Sequence, residues 1–288
     1  MYFRSMKNWL VLLCMFGFMS SCERNNIHEV KDWSTIFKAH GIDSACFEIR
    51  DHNHEEMYYL NLSRAGEQRF MPASTFKVFL SLVGLETNVA LDEKLVIPWN
   101  GEVYARAEWN KDMDMREALK VSSEPYYREL ARRIGKPELQ KWVDTVKFGN
   151  MNLGDSVDRC WVNNTLQITA DEQVGFMKKL YFDKLPFSQR TQRIVKSLML
   201  QEDSTRFKLY YKTGTGIYPG TDKKYIVWLV GFLEMKESQK NVETKLEETN
   251  FKPYFFAMNF DTDSDSIMAP SNRVAILKEI LRERKILR

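Results

Sequence analysis

A chain of 288 residues, 44% of them hydrophobic, can bury a large core, as one domain of the larger size or as two closely packed parts. Its formal net charge of +3, with no basic stripe, argues against a nucleic-acid partner and leaves small molecules and cell-envelope polymers open. The four cysteines form no C-x-x-C pair, and all four histidines (His28, His40, His52 and His54) precede residue 55. No metal-ligand spacing appears, and a Ser-His-Asp triad has no histidine in the bulk of the chain.

Residues 1–22 read as a secretion signal. Arg4 and Lys7 form a positive n-region, Met6 is a second candidate start, and Trp9 to Phe18 form an apolar run too short to span a bilayer comfortably. Met19-Ser20-Ser21-Cys22 resembles a bacterial lipoprotein signal, in which the cysteine is lipidated. The alternative is an ordinary signal peptide cut nearby; on either reading the protein is exported. Residues 23–32 are expected to be a tether and 33–288 the folded domain. Removing the signal takes Arg4 and Lys7 with it and leaves the chain nearer neutral.

A short helix is expected from Trp33 to His40, ended by Gly41. Ala45–Arg50 and Met57–Leu62 read as strands around a polar turn. Ser74 to about Glu86, an apolar run, reads as a helix. Residues 87–112 carry no clear period. Helices follow at Met115–Lys120, Pro125–Ile134, Glu138–Val146, Thr169–Phe182 and Ser188–Leu200. Strands then return at Lys208–Thr213, Tyr225–Glu234 and Tyr254–Asp261, with the charged residues 236–250 as a hairpin connection. Ser271–Arg284 is a closing amphipathic helix. Strands at both ends bracketing a helical middle predict an α+β fold (an α/β sandwich): an antiparallel sheet flanked by helices, with an inserted helical subdomain. Cys46 and Cys160 stand in apolar contexts and are either paired or two buried thiols.

Three segments carry chemistry. Pro72-Ala73-Ser74-Thr75-Phe76-Lys77 places a hydroxyl and an amine on one helix face. Such a hydroxyl becomes a nucleophile if the amine takes its proton, and burial lowers the amine's pKa toward that task. The same letters also fit an N-cap serine with a snorkelling lysine. Val121-Ser122-Ser123-Glu124-Pro125 opens a helix, so Ser122 is either its cap or a proton shuttle. Lys212-Thr213-Gly214-Thr215-Gly216 is placed at the end of a strand, where glycine lets the backbone approach a ligand; a turn is the simpler reading of the same residues.

Together and in this order, these segments resemble the motif set of penicillin-recognising serine acylases. The details are similar to class D (oxacillinase-type) β-lactamases over roughly residues 33–284. The nucleophile motif is complete; Phe148-Gly149-Asn150 is similar to Y-G-N; Trp161 follows; Leu209-Tyr210-Tyr211-Lys212-Thr213-Gly214 and Trp228-Leu229-Val230-Gly231-Phe232 are similar to the paired active-site strands; Arg273 opens the last helix.

The resemblance implies hydrolysis of β-lactam small molecules through an acyl-enzyme on Ser74. Lys77, carboxylated by carbon dioxide, would be the general base, with no metal or other cofactor. Trp161 would donate its indole N–H to the carbamate. The backbone N–H groups of Ser74 and Thr215 would form the oxyanion hole, each donor worth about 3 kcal/mol. Ser122 would relay a proton to the leaving nitrogen. Lys212, Thr213, Gly214, Thr215 and Arg273 would line the substrate site, Arg273 gripping the carboxylate. It further implies a periplasmic enzyme held to the membrane by a lipid on Cys22.

One position departs from the pattern: class D has S-x-V where this chain has Ser122-Ser123-Glu124. Glu124 either turns outward and leaves a carbamate intact, or lies inward, where it repels a carbamate or holds Lys77 cationic. The outward placement is the expectation, because Pro125 redirects the local backbone. The alternatives to a hydrolase are a sensor-like domain that acylates but deacylates poorly, and a penicillin-binding DD-peptidase.

Overall fold

The computed structural model describes residues 26–240 and 247–287. The expected signal segment and Cys22 lie outside them, as does most of the expected tether. Within the rest of that tether, Ile27–Glu29 forms a strand (β1), not the linker expected there. It is followed by helix α1 (Trp33–Ala39), strands β2 (Ala45–Asp51) and β3 (Glu56–Leu60), a short helix α2 (Leu62–Gly66), and α3 (Phe76–Glu86). The helical middle comprises α4 (Met115–Lys120), α5 (Glu124–Ile134), α6 (Lys136–Val146), α7 (Ala170–Tyr181) and α8 (Gln189–Met199). Strands β4 (Leu200–Asp203), β5 (Phe207–Ile217), β6 (Tyr225–Lys240) and β7 (Glu247–Thr262) precede the last helix, α9 (Pro270–Glu283).

The seven strands form one sheet in the order β1-β3-β2-β7-β6-β5-β4. Every pairing is antiparallel except β1 on β3, so the sheet is mixed rather than purely antiparallel. Its two faces are both covered. On β6, Ile226, Trp228, Val230 and Phe232 join the core beneath the helical middle, while Val227, Leu229 and Leu233 join the core under α1 and α9. A strand buried on both faces needs no polar alternation, which is why this segment reads as a continuous apolar run. Beyond the sheet, β6 and β7 stay paired as far as Lys240 and Glu247, and β7 covers 247–250 of the segment expected to be a connection. Residues 249–251 of this two-stranded ribbon are exposed, and an exposed segment carries no apolar period.

Helix α3 lies at the centre of the helical core. Every residue from Phe76 to Leu85 is buried, the polar Lys77 and Ser81 included. Thr169 caps α7 in a capping box with Glu172, and Ser188 caps α8. Cys46 and Cys160 are both free and buried, and burial pushes each thiol up to about 12. Each therefore packs as a small apolar side chain. His52 lies against the Phe182 ring and His54 Nδ1 pairs with Asp51 Oδ2 at 2.7 Å. Among the described residues no helix is long and apolar enough to cross a membrane.

Candidate active site

Ser74 sits in a 3-10 turn, Ala73–Thr75, that runs directly into α3. The turn is held on two sides. The Ala73 N–H donates to the Trp161 carbonyl at 2.9 Å, and Ala73 has a left-handed φ of 49°, an uncommon conformation for alanine. Thr75 Oγ1 donates to the Pro72 carbonyl and accepts from Gln173 Nε2 on α7. The nucleophile candidate thus hangs between the start of α3 and two fixed supports.

Lys77 is completely buried. Its Nζ lies 2.9 Å from Ser74 Oγ and 2.8 Å from the Ser122 carbonyl. It also lies 2.9 Å from Glu124 Oε2. The outward placement expected of Glu124 is therefore incorrect: the carboxylate points into the site. The reason is local. Ser123, not Ser122, caps α5 through its Oγ on the Tyr126 N–H, which makes Glu124 the first helical residue and Pro125 the second, where proline fits without losing a hydrogen bond. Proline fixes this first turn instead of turning the carboxylate away. Arg128 Nε, one turn on, draws on Oε1 at 3.3 Å, and Trp161 Nε1 reaches Oε2 at 3.4 Å.

Ser122 is freed from capping. It adopts φ 56°, and Lys212 Nζ lies 2.9 Å from its hydroxyl. That ammonium also donates to the Thr213 carbonyl. Burial pulls Lys212 well below its ordinary range, helped by the nearby cations Lys77 and Arg273. Burial also pulls Lys77 down, with the Glu124 carboxylate acting in the opposite direction. Burial pushes the Glu124 carboxyl up, but Lys77 and then Arg128 outweigh it and leave it below the usual carboxylate range.

Strand β5 does not end at Lys212-Thr213-Gly214 as expected; it continues to Ile217. The strands beside β5 are β6 along its whole length and β4 from Lys208 to Tyr210, so from Tyr211 onward its other edge faces the nucleophile turn. Glycine eases the approach there. A Cβ on Gly214 would lie 3.0 Å from the Pro72 carbonyl oxygen and 3.0 Å from Thr75 Cγ2. Arg273 on α9 is 2% exposed. It donates through Nη1 to the Gly214 and Trp228 carbonyls and through Nη2 to Thr215 Oγ1 and the Met268 carbonyl. Burial lowers it to about 9. Its fork is engaged with the protein, so a bidentate grip on a substrate needs some of these bonds exchanged. It presents a charge behind Thr215 and fixes the strand's outer end.

The Phe148-Gly149-Asn150 turn holds the site from below. Gly149 has φ 57°, and a Cβ there would meet the Gln167 carbonyl at 2.1 Å. Asn150 side-chain bonds to Thr165 and Gln167 pin the loop that carries Trp161. Phe148 packs on Phe76 and Phe79. Three contributors have no sequence signal of their own. Arg128 steadies Glu124. Ser81 and Tyr127 share a buried hydrogen bond of 2.8 Å one turn beyond Lys77, and the Tyr127 ring faces Nζ at 5.8 Å. Among the described residues, no cluster of three or more His, Cys, Asp or Glu side chains could hold a metal ion.

The penicillin-binding protein transpeptidase domain matches residues 44–268. The chain is 36% identical to the β-lactamase OXA-48 of Klebsiella pneumoniae, covering 90% of each, and 30% identical to OXA-10 of Pseudomonas aeruginosa over the same shares. Among solved structures it is similar to the class D β-lactamase FUS-1 (OXA-85) of Fusobacterium nucleatum subsp. polymorphum, with a TM-score of 0.80 and 30% identity, covering 90% of this chain and all of that one. The chain belongs to the class D serine β-lactamases. The resemblance read from its motifs and the fold expected from it both hold. Within class D, the inward Glu124 is this chain's departure from the S-x-V pattern.

Proposed function

We propose that the protein hydrolyses β-lactam rings through a covalent acyl-enzyme on Ser74. The observation that carries this reading is the convergence of three groups: Lys77 Nζ lies 2.9 Å from Ser74 Oγ and 2.8 Å from the Ser122 backbone carbonyl, while the Ser122 hydroxyl lies 2.9 Å from Lys212 Nζ. Buried Lys77 takes the Ser74 proton as Oγ attacks the lactam carbonyl. The Ser74 and Thr215 backbone N–H groups meet the developing oxyanion; the approach of Gly214 to the Pro72-Ala73-Ser74 turn supports their convergence. The carbonyl carbon–nitrogen bond then breaks, and the nitrogen takes a proton from Ser122 Oγ, which Lys212 replaces. Lys212, Thr213 and the charge of Arg273 favour the substrate carboxylate. The proton that Lys77 took from Ser74 then makes good the one Lys212 gave up, which restores the neutral Lys77 amine. Water attacks the ester carbonyl as its proton passes to Lys77, and Ser74 Oγ leaves with that proton.

A carbamate on Lys77, which the resemblance implies, is a poor fit to these residues. Three oxygen atoms, one of them a carboxylate oxygen, already lie within 2.9 Å of Nζ. The Trp161 N–H, the only donor of the indole, is directed at Glu124. No step is therefore routed through carbon dioxide. The same contact is what favours the second reading, an acylating domain that releases product slowly.

Export and lipid anchoring at Cys22, with a periplasmic location, belong to the same proposal and rest on the signal-like residues 1–22. Steady-state hydrolysis of nitrocefin, with intact mass taken during turnover, tests the reaction. Turnover with an adduct that Ser74→Ala abolishes supports the hydrolase. A stoichiometric adduct without turnover supports the slow-release reading, and no adduct on Ser74 sinks both. Fractionation of the full chain against Cys22→Ala tests the anchor, which fails if both partition alike.

A further inference from the structure

The Glu124 carboxylate stands where the chemistry of the family calls for a carboxylate made from carbon dioxide. A carbamate on lysine carries one negative charge, a carboxylate group and a nitrogen. A neutral Lys77 amine beside an ionised Glu124 carries the same charge and the same groups, with a 2.9 Å contact in place of the covalent bond. Trp161 Nε1 addresses an oxygen of Glu124, the bond expected for a carbamate oxygen. The position of Glu124 is fixed rather than fortuitous: Ser123 caps the helix it opens, Pro125 follows it, Arg128 holds its second oxygen, and its side chain is 16% exposed. A helix N-terminus also favours an acid.

We propose that Glu124 supplies from the chain itself the carboxylate that class D enzymes are expected to obtain from carbon dioxide, so that Lys77 works as an unmodified amine and the enzyme is independent of bicarbonate. This rests on the reading above, in which Ser74 is acylated with Lys77 as its base. Glu124 acts through Lys77 and is a positioning residue. It orients Nζ toward Ser74, and it stabilises the ammonium formed when Nζ receives the proton of Ser74 or of the hydrolytic water. After acylation that proton makes good the one Lys212 gave up, and after deacylation it returns to Ser74 Oγ, so the amine is restored each time. A carbamate on Nζ would set a second anion against Glu124, and like charges at this range disfavour it.

The substitution that restores the family pattern gives the decisive test. Glu124→Val removes the built-in carboxylate and opens an apolar space beside Nζ. With the wild-type enzyme in 13C-labelled bicarbonate, the carbon NMR spectrum is expected to show no carbamate resonance, and turnover is expected to be the same in carbon-dioxide-stripped and bicarbonate-supplemented buffer. In Glu124→Val, stripped buffer should lower turnover by about 100-fold, the size of the loss when a reacting group is misplaced. Bicarbonate should restore at least part of it, with a carbamate resonance that Lys77→Ala abolishes. Glu124→Gln, which keeps shape and loses charge, serves if the valine variant does not fold; it should lose turnover and gain nothing from bicarbonate.

A carbamate resonance or bicarbonate stimulation in the wild type overturns the inference, as does a folded Glu124→Val or Glu124→Gln enzyme that turns over like the wild type in stripped buffer. Intact mass separates the two levels. Without a Ser74 adduct the acylation reading itself has failed, whereas an adduct accompanied by a wild-type carbamate overturns only the assignment to Glu124.

Discussion

Lys212 Nζ lies 2.9 Å from Ser122 Oγ, and this one contact joins the sheet to the helical half of the molecule across the mouth of the site. Ser122 comes from the loop before α5, Lys212 from the middle of β5, and the Ser122 carbonyl simultaneously receives Lys77. If Ser122 relays the proton that Lys212 replaces, Ser122→Ala and Lys212→Met should each lower the acylation rate by about 100- to 1,000-fold, in the range of a lost proton-transfer partner. Groups that act as a unit are not additive, so the double variant should be scarcely slower than either single one. Stopped-flow acylation with nitrocefin reads this; fully multiplicative losses would separate the two residues.

Gly214 bears on the same geometry from the strand side. A methyl group there meets the Pro72 carbonyl oxygen and Thr75 Cγ2, both at 3.0 Å, so β5 or the nucleophile turn must give by a few tenths of an ångström. Overpacking of this size costs about 1–3 kcal/mol. The displaced pair are the strand that carries Thr215 and the turn that carries Ser74, and catalysis is sensitive to their spacing. Gly214→Ala is expected to fold with a lowered melting temperature and to lose roughly tenfold or more in kcat/KM. Unchanged kcat/KM would mean that the strand does not have to approach the turn this closely.

What could be read in the sequence and what could not divide along physical lines. The turn that carries Ser74, α3 and the strand through Lys212 and Thr213 were legible because each combines a residue type with a fixed local geometry. The choice of cap at α5 was not. Ser122 and Ser123 are both good caps, and the outcome turns on Ser122 taking φ 56°, a conformation with no signature in a serine. That one-residue shift puts Glu124 at the first helical position and aims it inward. Strand β1 was missed because a three-residue edge strand, exposed at two positions, lacks an apolar period. Arg128, Ser81 and Tyr127 became visible only once α3 and α5 were packed together.

The pH dependence of turnover follows from Lys77. Burial lowers its pKa from the ordinary 10.5, and in the proposed mechanism the neutral amine is the form that accepts a proton from Ser74. The rate of acylation should therefore rise with pH through a midpoint below that ordinary value. Glu124 stabilises the ammonium and so raises the midpoint relative to a site without it. Glu124→Gln should move the midpoint to lower pH while lowering the plateau. A kcat/KM profile across pH 5 to 10, a range chosen around ordinary lysine and histidine values, reads the direction. A midpoint that moves upward in the glutamine variant contradicts this account.

Away from the site, Glu48 on β2 gives the fold its own pH dependence. Its side chain is fully buried. Oε1 accepts from Arg50 Nε at 2.7 Å and from Tyr59 OH at 3.2 Å, while Oε2 has no partner. Burial pushes its pKa up to about 7, with the Arg50 charge opposing. A carboxyl whose folded-state pKa lies above its unfolded value of 4.5 binds its proton more tightly when folded. Its contribution is therefore fully present below pH 4.5, declines as the pH rises, and is lost above about pH 7. The difference amounts to about 3 kcal/mol at most. Glu48→Gln mimics the protonated form, so its gain over the wild type should be near zero at pH 4 and rise to several degrees of melting temperature at pH 8 for a domain of this size. Thermal melts at the two pH values decide it. An equal offset at both would assign the effect to packing, and a loss at pH 8 would mean that the ionised Glu48–Arg50 pair outweighs the unpartnered Oε2.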